Sequence, residues 1–233
     1  MIELHKSDKP DWITLNQHQK TMEYKAASDK SKLSPWREIE VVERLKQECS
    51  KKCMYCECFI DDASYSAVEH IRPKKHFEDL VLEWTNLGLA CWRCNTNKGD
   101  YWTEDSSLQL LNPYQDSLSE HVYFHGPLTV ARLRSSRGIN TVRQLKLKRD
   151  DLMLSRLKRI EEFEKNLKLW HDESDAERKQ LYAEDVSEAI GPDREFSGLL
   201  RAYAIQAGFP LDSDDLTTKA DQQADVEASQ GLS

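Results

Sequence analysis

The sequence predicts an α+β protein in which a small zinc-stapled core is embedded in a mainly helical surround. Three observations lead there. Six cysteines (Cys49, Cys53, Cys56, Cys58, Cys91 and Cys94) crowd into less than a quarter of a 233-residue chain, four of them as two Cys-x-x-Cys pairs. Between Lys52 and Lys98 the pattern is short apolar runs broken by turn residues. Beyond residue 149, apolar side chains recur at helical spacing.

Length and composition set the frame. A chain of 233 residues is long enough to bury a real interior and does not depend on staples everywhere. With 32 % charged residues and a mean hydropathy of −0.73, no stretch approaches the roughly 20 apolar residues of a membrane-spanning helix. The opening MIELHKSDKPDW lacks the apolar segment of a secretory signal. The expectation is a soluble protein of the cytoplasm with no membrane partner, where clustered cysteines point to metal rather than to disulfides. The net charge of −8 opposes a polyanionic partner, because phosphate binding depends on cations. That charge is unevenly spread: residues 132–168 carry +7 and residues 169–233 carry −10.

Residues 1–50 read as an N-terminal extension and a helix. Residues 1–33 are polar and mixed, with isolated aromatics Trp12 and Tyr24, suited to wrapping a domain or meeting a partner. Ser34-Pro35 reads as an N-cap and first helical position, followed by Trp36, Ile39, Val42 and Leu45, so a helix should run into Cys49. Residues 51–101 form the core.

Residues 102–211 read as mainly helical. A short strand is expected over 122–124, between the loops Asn112-Pro113-Tyr114 and His125-Gly126-Pro127. Leu152, Leu157, Ile160, Phe163, Leu167 and Trp170 predict an amphipathic helix from about 149 to 171 with a basic first half. Two shorter helices follow near 175–190, stopped by Gly191-Pro192, and near 194–207, stopped by Gly208 and Pro210. Residues 212–233 are polar and acidic, and read as a disordered tail. No internal repeat is visible.

Cys53-Met-Tyr-Cys56 and Cys91-Trp-Arg-Cys94 are two knuckles separated by 34 residues, each able to offer two thiolates from one tight turn. Four thiolates close a tetrahedral site, leaving no position for water, so one zinc ion would hold the fold rather than react. Buried free cysteines without metal are the plainer alternative, and paired knuckles seldom arise that way. Cys49 and Cys58 rank as spare thiols, although a swapped ligand set is possible.

Between and after the knuckles lie Val68-Glu69-His70-Ile71-Arg72-Pro73-Lys74-Lys75, Trp84-Thr85-Asn86-Leu87 and Cys91-Trp92-Arg93-Cys94-Asn95-Thr96-Asn97-Lys98-Gly99. In order and spacing these segments resemble the HNH motif of the ββα-metal endonuclease family. The fold this implies is a small zinc-stapled ββα-metal (HNH) core embedded in a mainly helical surround.

The resemblance implies roles. His70 would be the general base that takes a proton from the attacking water, its ordinary pKa of about 6.5 lying near working pH. Glu69 and Asn95 would hold one Mg²⁺ or Mn²⁺, oxygen donors suiting a hard cation. Neighbours on a strand face opposite ways, so Glu69 and His70 can act jointly only where the strand ends or bulges, and Pro73 fits such a break. Asn86 would tie the intervening loop to backbone and keep His70 oriented. Arg72, Lys74, Lys75, Arg93 and Lys98 are candidates for the nucleic-acid backbone, against the ordinary alternative of solvated surface cations. Arg132, Arg134, Arg137 and Arg143 could add a stripe that tracks it. One departure is Glu69 itself, where many HNH motifs place Asp or His.

The flanking Trp102, Leu111-Asn112-Pro113-Tyr114, Phe124-His125-Gly126-Pro127 and Arg137-Gly138-Ile139-Asn140-Thr141 resemble the HNH subunits of Septu-type anti-phage systems. That implies a DNA endonuclease acting in bacterial defence beside an ABC- or SMC-like ATPase. Two other readings stand beside it: a catalytically inactive zinc-binding interaction module, and an HNH nuclease acting on RNA. The intact set of Glu69, His70, Asn86 and Asn95 speaks against the first. Nothing in the sequence resembles a base-reading motif that would decide the second.

Overall fold

The structure, a computed structural model, describes residues 1–60 and 66–211. The expected acidic tail at 212–233 lies outside the described residues. The fold is mixed, with helices around two small antiparallel sheets among the described residues.

The N-terminal region carries a helix that the sequence reading passed over, α1 (Asp11–Ala26). It buries only Ile13, Thr21 and Tyr24, too sparse an apolar stripe to give a periodic signal. Polar contacts with the loop 71–86 hold it down, Gln17 donating to Glu83 at 3.0 Å and Lys25 pairing with Asp79.

The helix expected from residue 35 comes in two pieces. A single 3₁₀ turn, Pro35–Arg37, ends where Glu38 turns extended (ψ 140°), and α2 (Ile39–Glu48) starts afresh. This break shifts the helical phase. Trp36, Val41 and Leu45 are buried, whereas Ile39, expected on the inner face, is 76 % exposed.

The core is a ββα unit. β1 (Ser66–His70) pairs antiparallel with β2 (Leu87–Cys91), Glu69 opposite Gly88 and His70 opposite Leu87, and α3 (Trp92–Lys98) follows without a linker. A second hairpin joins β3 (Val122–His125) to β4 (Leu128–Ala131) through Gly126, whose φ of 51° suits glycine.

Next comes α4 (Ser136–Gln144), also unanticipated. Ser135 caps it by accepting from the Gly138 amide at 2.9 Å. Gly138 inside a helix lowers the sequence signal, yet it is required there because a Cβ would collide with the His121 carbonyl oxygen.

The three C-terminal helices α5 (Asp150–Asp172), α6 (Ala176–Ala189) and α7 (Ser197–Gln206) lie where periodicity and the Gly/Pro stops put them. Helix α5 differs in one respect: Leu157 is 41 % exposed, and its neighbour Arg156 is fully buried. The Arg156 guanidinium donates to Thr129 Oγ1 at 2.8 Å, to the Leu147 carbonyl at 3.3 Å and to the Cys56 carbonyl at 3.4 Å. It thereby joins α5 to the second hairpin and to the first knuckle. None of the described helices is long and apolar enough to cross a membrane.

Candidate active site

The two knuckles are built differently. In the first, the Glu57 amide donates to the Cys53 carbonyl and the Cys53 amide to the Cys58 carbonyl, both at 2.9 Å, closing a turn with Glu57 left-handed at φ 65°. In the second, Cys91 ends β2 and caps α3, its Sγ accepting from the Cys94 amide at 3.5 Å. The Met54 amide donates to the Leu89 carbonyl at 2.9 Å, pinning the first knuckle against β2.

As a result, the sulfurs of Cys53, Cys56, Cys91 and Cys94 all lie within 4.8 Å of one another, a set that could hold a metal such as zinc. The Arg149 guanidinium reaches Cys94 Sγ at 3.8 Å, and the Cys94 and Cys56 sulfurs raise its pKa although burial works against that. Cys49 stays outside the cluster, hydrogen-bonded to the Leu45 carbonyl, and burial pushes its thiol up to about 12. Cys58 contacts Cys56, and this contact and burial raise its thiol.

His70 is the last residue of β1, and the chain bends immediately after it. Only 5 % exposed, it places Nε2 3.0 Å from the Val81 carbonyl and packs edge-on against Trp36, ring centroids 4.8 Å apart. A carbonyl can only accept, so Nε2 carries the hydrogen and Nδ1 the lone pair. Among the described residues Nδ1 has no hydrogen-bond partner. Burial lowers the imidazole pKa to about 3, the Val81 bond opposing and Lys74 and Lys98 adding to the shift, so the ring is neutral at ordinary pH.

Glu69 is 1 % exposed and meets a different set of groups. Lys98 Nζ lies 2.5 Å from its Oε1 and also donates to the His70 carbonyl at 2.7 Å. The Lys98–Glu69 contact is an ion pair without hydrogen-bond alignment, leaving Oε1 a buried acceptor with no directed donor. Burial raises the Glu69 carboxyl against the pull of Lys98, Lys74 and the Tyr55 hydroxyl. Asn95, half-buried on α3, has no hydrogen-bond partner for its side-chain amide among the described residues. Helix α3 packs across both strands of the core sheet. Glu69 and Asn95 offer oxygen donors of the kind a hard cation takes, with Glu69 Oε1 already facing the Lys98 ammonium.

Asn86 closes the loop between the strands. Its Oδ1 accepts from the Arg72 amide at 2.8 Å, and its Nδ2 donates to the Arg72 and Leu80 carbonyls, both at 3.1 Å. The Ile71 amide donates to the Asn86 carbonyl at 2.9 Å, so both ends of the loop are tied at the residue after His70.

The five cations expected to face nucleic acid divide. Lys98 is 4 % exposed and committed to Glu69 and His70; as a backbone contact it is corrected to an internal counter-ion. Arg72 is exposed, packed over Phe77 and Trp102 at 5.6 and 5.2 Å, and Lys74 lies 5.3 Å from the Trp36 ring. Lys75 pairs with Asp100 at 3.1 Å and Arg93 with Asp151 at 3.3 Å, both exposed. Sequence reasoning missed Trp36, Tyr55 and Val81, which surround the motif; only the apolar pattern marked Trp36, and nothing local marked the Val81 carbonyl.

Residues 53–101 match the family model described as HNH endonuclease. This stretch is an HNH endonuclease domain. Its bounds enclose both knuckles together with Glu69, His70, Asn86 and Asn95. The chain is similar to a Septu protein PtuB of Bacillus thuringiensis, 34 % identical over 124 residues that cover 52 % of this chain and 46 % of the relative. It is also similar to a Septu protein PtuB of Bacillus mycoides (strain KBAB4), 29 % identical over 158 residues, covering 55 % of this chain and 54 % of the relative. The chain thus spans about half the length of the curated relatives it matches.

Proposed function

We propose that this protein is a metal-dependent HNH endonuclease that hydrolyses phosphodiester bonds in DNA as the nuclease of a Septu-type anti-phage system. The observation that carries this reading is the tautomer of His70. A buried, neutral imidazole fixed through Nε2 presents an unprotonated Nδ1, the form a general base needs. Hydrolysis requires that the attacking water lose a proton as it approaches phosphorus, and Nδ1 accepts it.

Glu69 and Asn95 would hold the Mg²⁺ or Mn²⁺, which when bound neutralises charge on the scissile phosphate and the leaving oxygen. Lys98 offsets part of what burial costs the Glu69 carboxylate and fastens α3 to the end of β1. Asn86 fixes the loop behind His70, so the base meets its water in one orientation. Cys53, Cys56, Cys91 and Cys94 would hold one structural zinc, and Arg149 offsets part of the negative charge that the four thiolates carry.

The Septu likeness supports an ATPase of the ABC or SMC type as partner, with the acidic residues 169–233 as its contact. The test is a plasmid assay with purified protein in Mg²⁺, in Mn²⁺ and in EDTA, repeated after co-expression with an ABC- or SMC-type ATPase gene product, if one neighbours its gene. Metal-dependent cutting, and co-elution of the two chains on size exclusion, are expected. A protein that cuts nothing in either metal, alone or with the ATPase, would overturn the nuclease reading.

A further inference from the structure

The stretch 132–168 carries +7, but most of its arginines are spent internally. Arg137 grips Asp116 through both guanidinium nitrogens at 2.7 and 2.6 Å, Arg132 donates to the Ser119 carbonyl, and Arg156 is buried. With Arg132 and Arg137 engaged in this way, the arginine stripe expected from sequence is not continuous.

Three other cations are left over in one place. Arg143, Lys146 and Lys148 are exposed, have no ion-pair or hydrogen-bond partner for their side chains among the described residues, and rim an open groove of about 570 Å³. Val130, Ile139 and Val142 line its floor.

The groove is fastened to the helix that carries Asn95. Gln144 Nε2 donates to the Asn97 carbonyl at 2.8 Å, and Asn97 Nδ2 donates to the Leu145 carbonyl at 3.1 Å. Arg149, at the end of the groove, touches Cys94. A chain of phosphates lying in the groove would run beside α3.

Lys146 supplies a second, independent observation. Helix α4 ends in a Schellman turn, the Leu147 amide donating to the Val142 carbonyl at 3.0 Å and the Lys146 amide to the Arg143 carbonyl at 3.2 Å. Lys146 occupies the left-handed position at φ 50°, where glycine is the unstrained choice. A lysine is held there at a backbone cost, with its ammonium on the groove rim.

We propose that this groove binds the phosphate backbone of duplex DNA through Arg143, Lys146 and Lys148, and so delivers the strand to the HNH domain of an otherwise acidic protein. The inference rests on the nuclease reading: unpaired cations over an apolar floor call for a polyanion by charge complementarity, and the nuclease reading makes that polyanion DNA.

The test uses the full chain with His70→Ala, in EDTA, binding a short labelled duplex DNA by fluorescence anisotropy over a salt series. The combined variant Arg143→Glu, Lys146→Glu, Lys148→Glu should weaken binding on the order of tenfold or more and lower the salt slope by about three. A matched variant, Lys158→Glu, Lys165→Glu, Lys168→Glu, makes the same charge change on α5, and should stay within about twofold. Lys146→Gly should melt no lower than the parent while still losing affinity, a split that a merely structural lysine would not give. Equal losses in the two charge-reversed variants, or no binding by the parent even at low salt, would overturn the groove. Hydrolysis of bis(p-nitrophenyl) phosphate by the wild type with Mn²⁺ tests the nuclease reading separately, since so small a diester does not need the groove.

Discussion

The His70 Nε2 atom and the Val81 carbonyl oxygen are 3.0 Å apart, and this bond sets which imidazole nitrogen can take a proton. Removing the ring removes the base together with its packing against Trp36 and its bond to the Val81 carbonyl, a local loss in a 233-residue protein. His70→Ala should stay folded, bind DNA and lose about 10²- to 10⁴-fold in cleavage rate. Initial rates of plasmid nicking, beside a circular dichroism melt, check this; undiminished nicking would discard His70 as the base.

The same burial makes stability depend on pH. The folded imidazole titrates at about 3, whereas the unfolded one titrates near its ordinary 6.5. Between these values the unfolded chain binds more protons, so the contribution is fully present above about pH 6.5 and is lost as pH falls toward 3. Melting temperatures from pH 7 down to pH 4 should decline more steeply for the wild type than for His70→Gln. Parallel declines would show that the ring is not held neutral.

Asn86 makes three hydrogen bonds to backbone from a buried position. Asn86→Ala leaves the Arg72 amide without its acceptor and should cost about 1–3 kcal/mol in a denaturant titration. Cleavage should fall further than the loss of folded protein explains, because the loop behind His70 loosens. Asn86→Asp keeps the acceptor for the Arg72 amide but sets a carboxylate oxygen against the Arg72 and Leu80 carbonyls, and should not recover the stability.

Lys98 distinguishes an internal counter-ion from a DNA contact. Lys98→Ala strands the buried Glu69 carboxylate and should destabilise the fold by about 3–5 kcal/mol. Adding Glu69→Gln should restore much of that loss in thermal melts. A Lys98→Ala protein of normal stability but weaker DNA binding would return the residue to the surface role expected from sequence.

The sulfur cluster and the oxygen site should respond to different treatments. Elemental analysis should find stoichiometric zinc, and Cys53→Ser with Cys94→Ser should abolish folding, since metal binding and folding are one equilibrium in such sites. Mild EDTA should stop cleavage with the fold intact. Zinc-free protein with a native melt would remove the structural role.

Much of the site was legible because its chemistry is local. Each knuckle is a single turn, and Glu69, His70, Asn86 and Asn95 stand in short segments whose residue types carry the signal themselves. What was not legible depends on partners distant in sequence. Lys98 looks like any helix-end cation until α3 meets β1, and Arg156 reads as part of a polar face until β3, β4 and the first knuckle enclose it. Helix α1 escaped notice because it is held by polar contacts rather than an apolar stripe, and α4 because its glycine answers to the His121 carbonyl. The Ile39 error follows from one extended residue, Glu38, that resets the helical register.

Arg156 also bears on how such a protein can be taken apart. Its guanidinium lies 5.4 and 5.7 Å from the Phe124 and Phe196 rings, its Nε has no partner among the described residues, and its charge is supported by the Cys56, Thr129, Leu147 and Pro127 oxygens together with the nearby Glu57 carboxylate. Excising residues 53–101 as a cassette would strip the first knuckle of this brace and take the Cys56 acceptor and the Glu57 carboxylate away from Arg156. Recombination that exchanges the nuclease between proteins would therefore have to carry α5 with it, and a protease nick in the β3–β4 hairpin would be felt at the zinc knuckle.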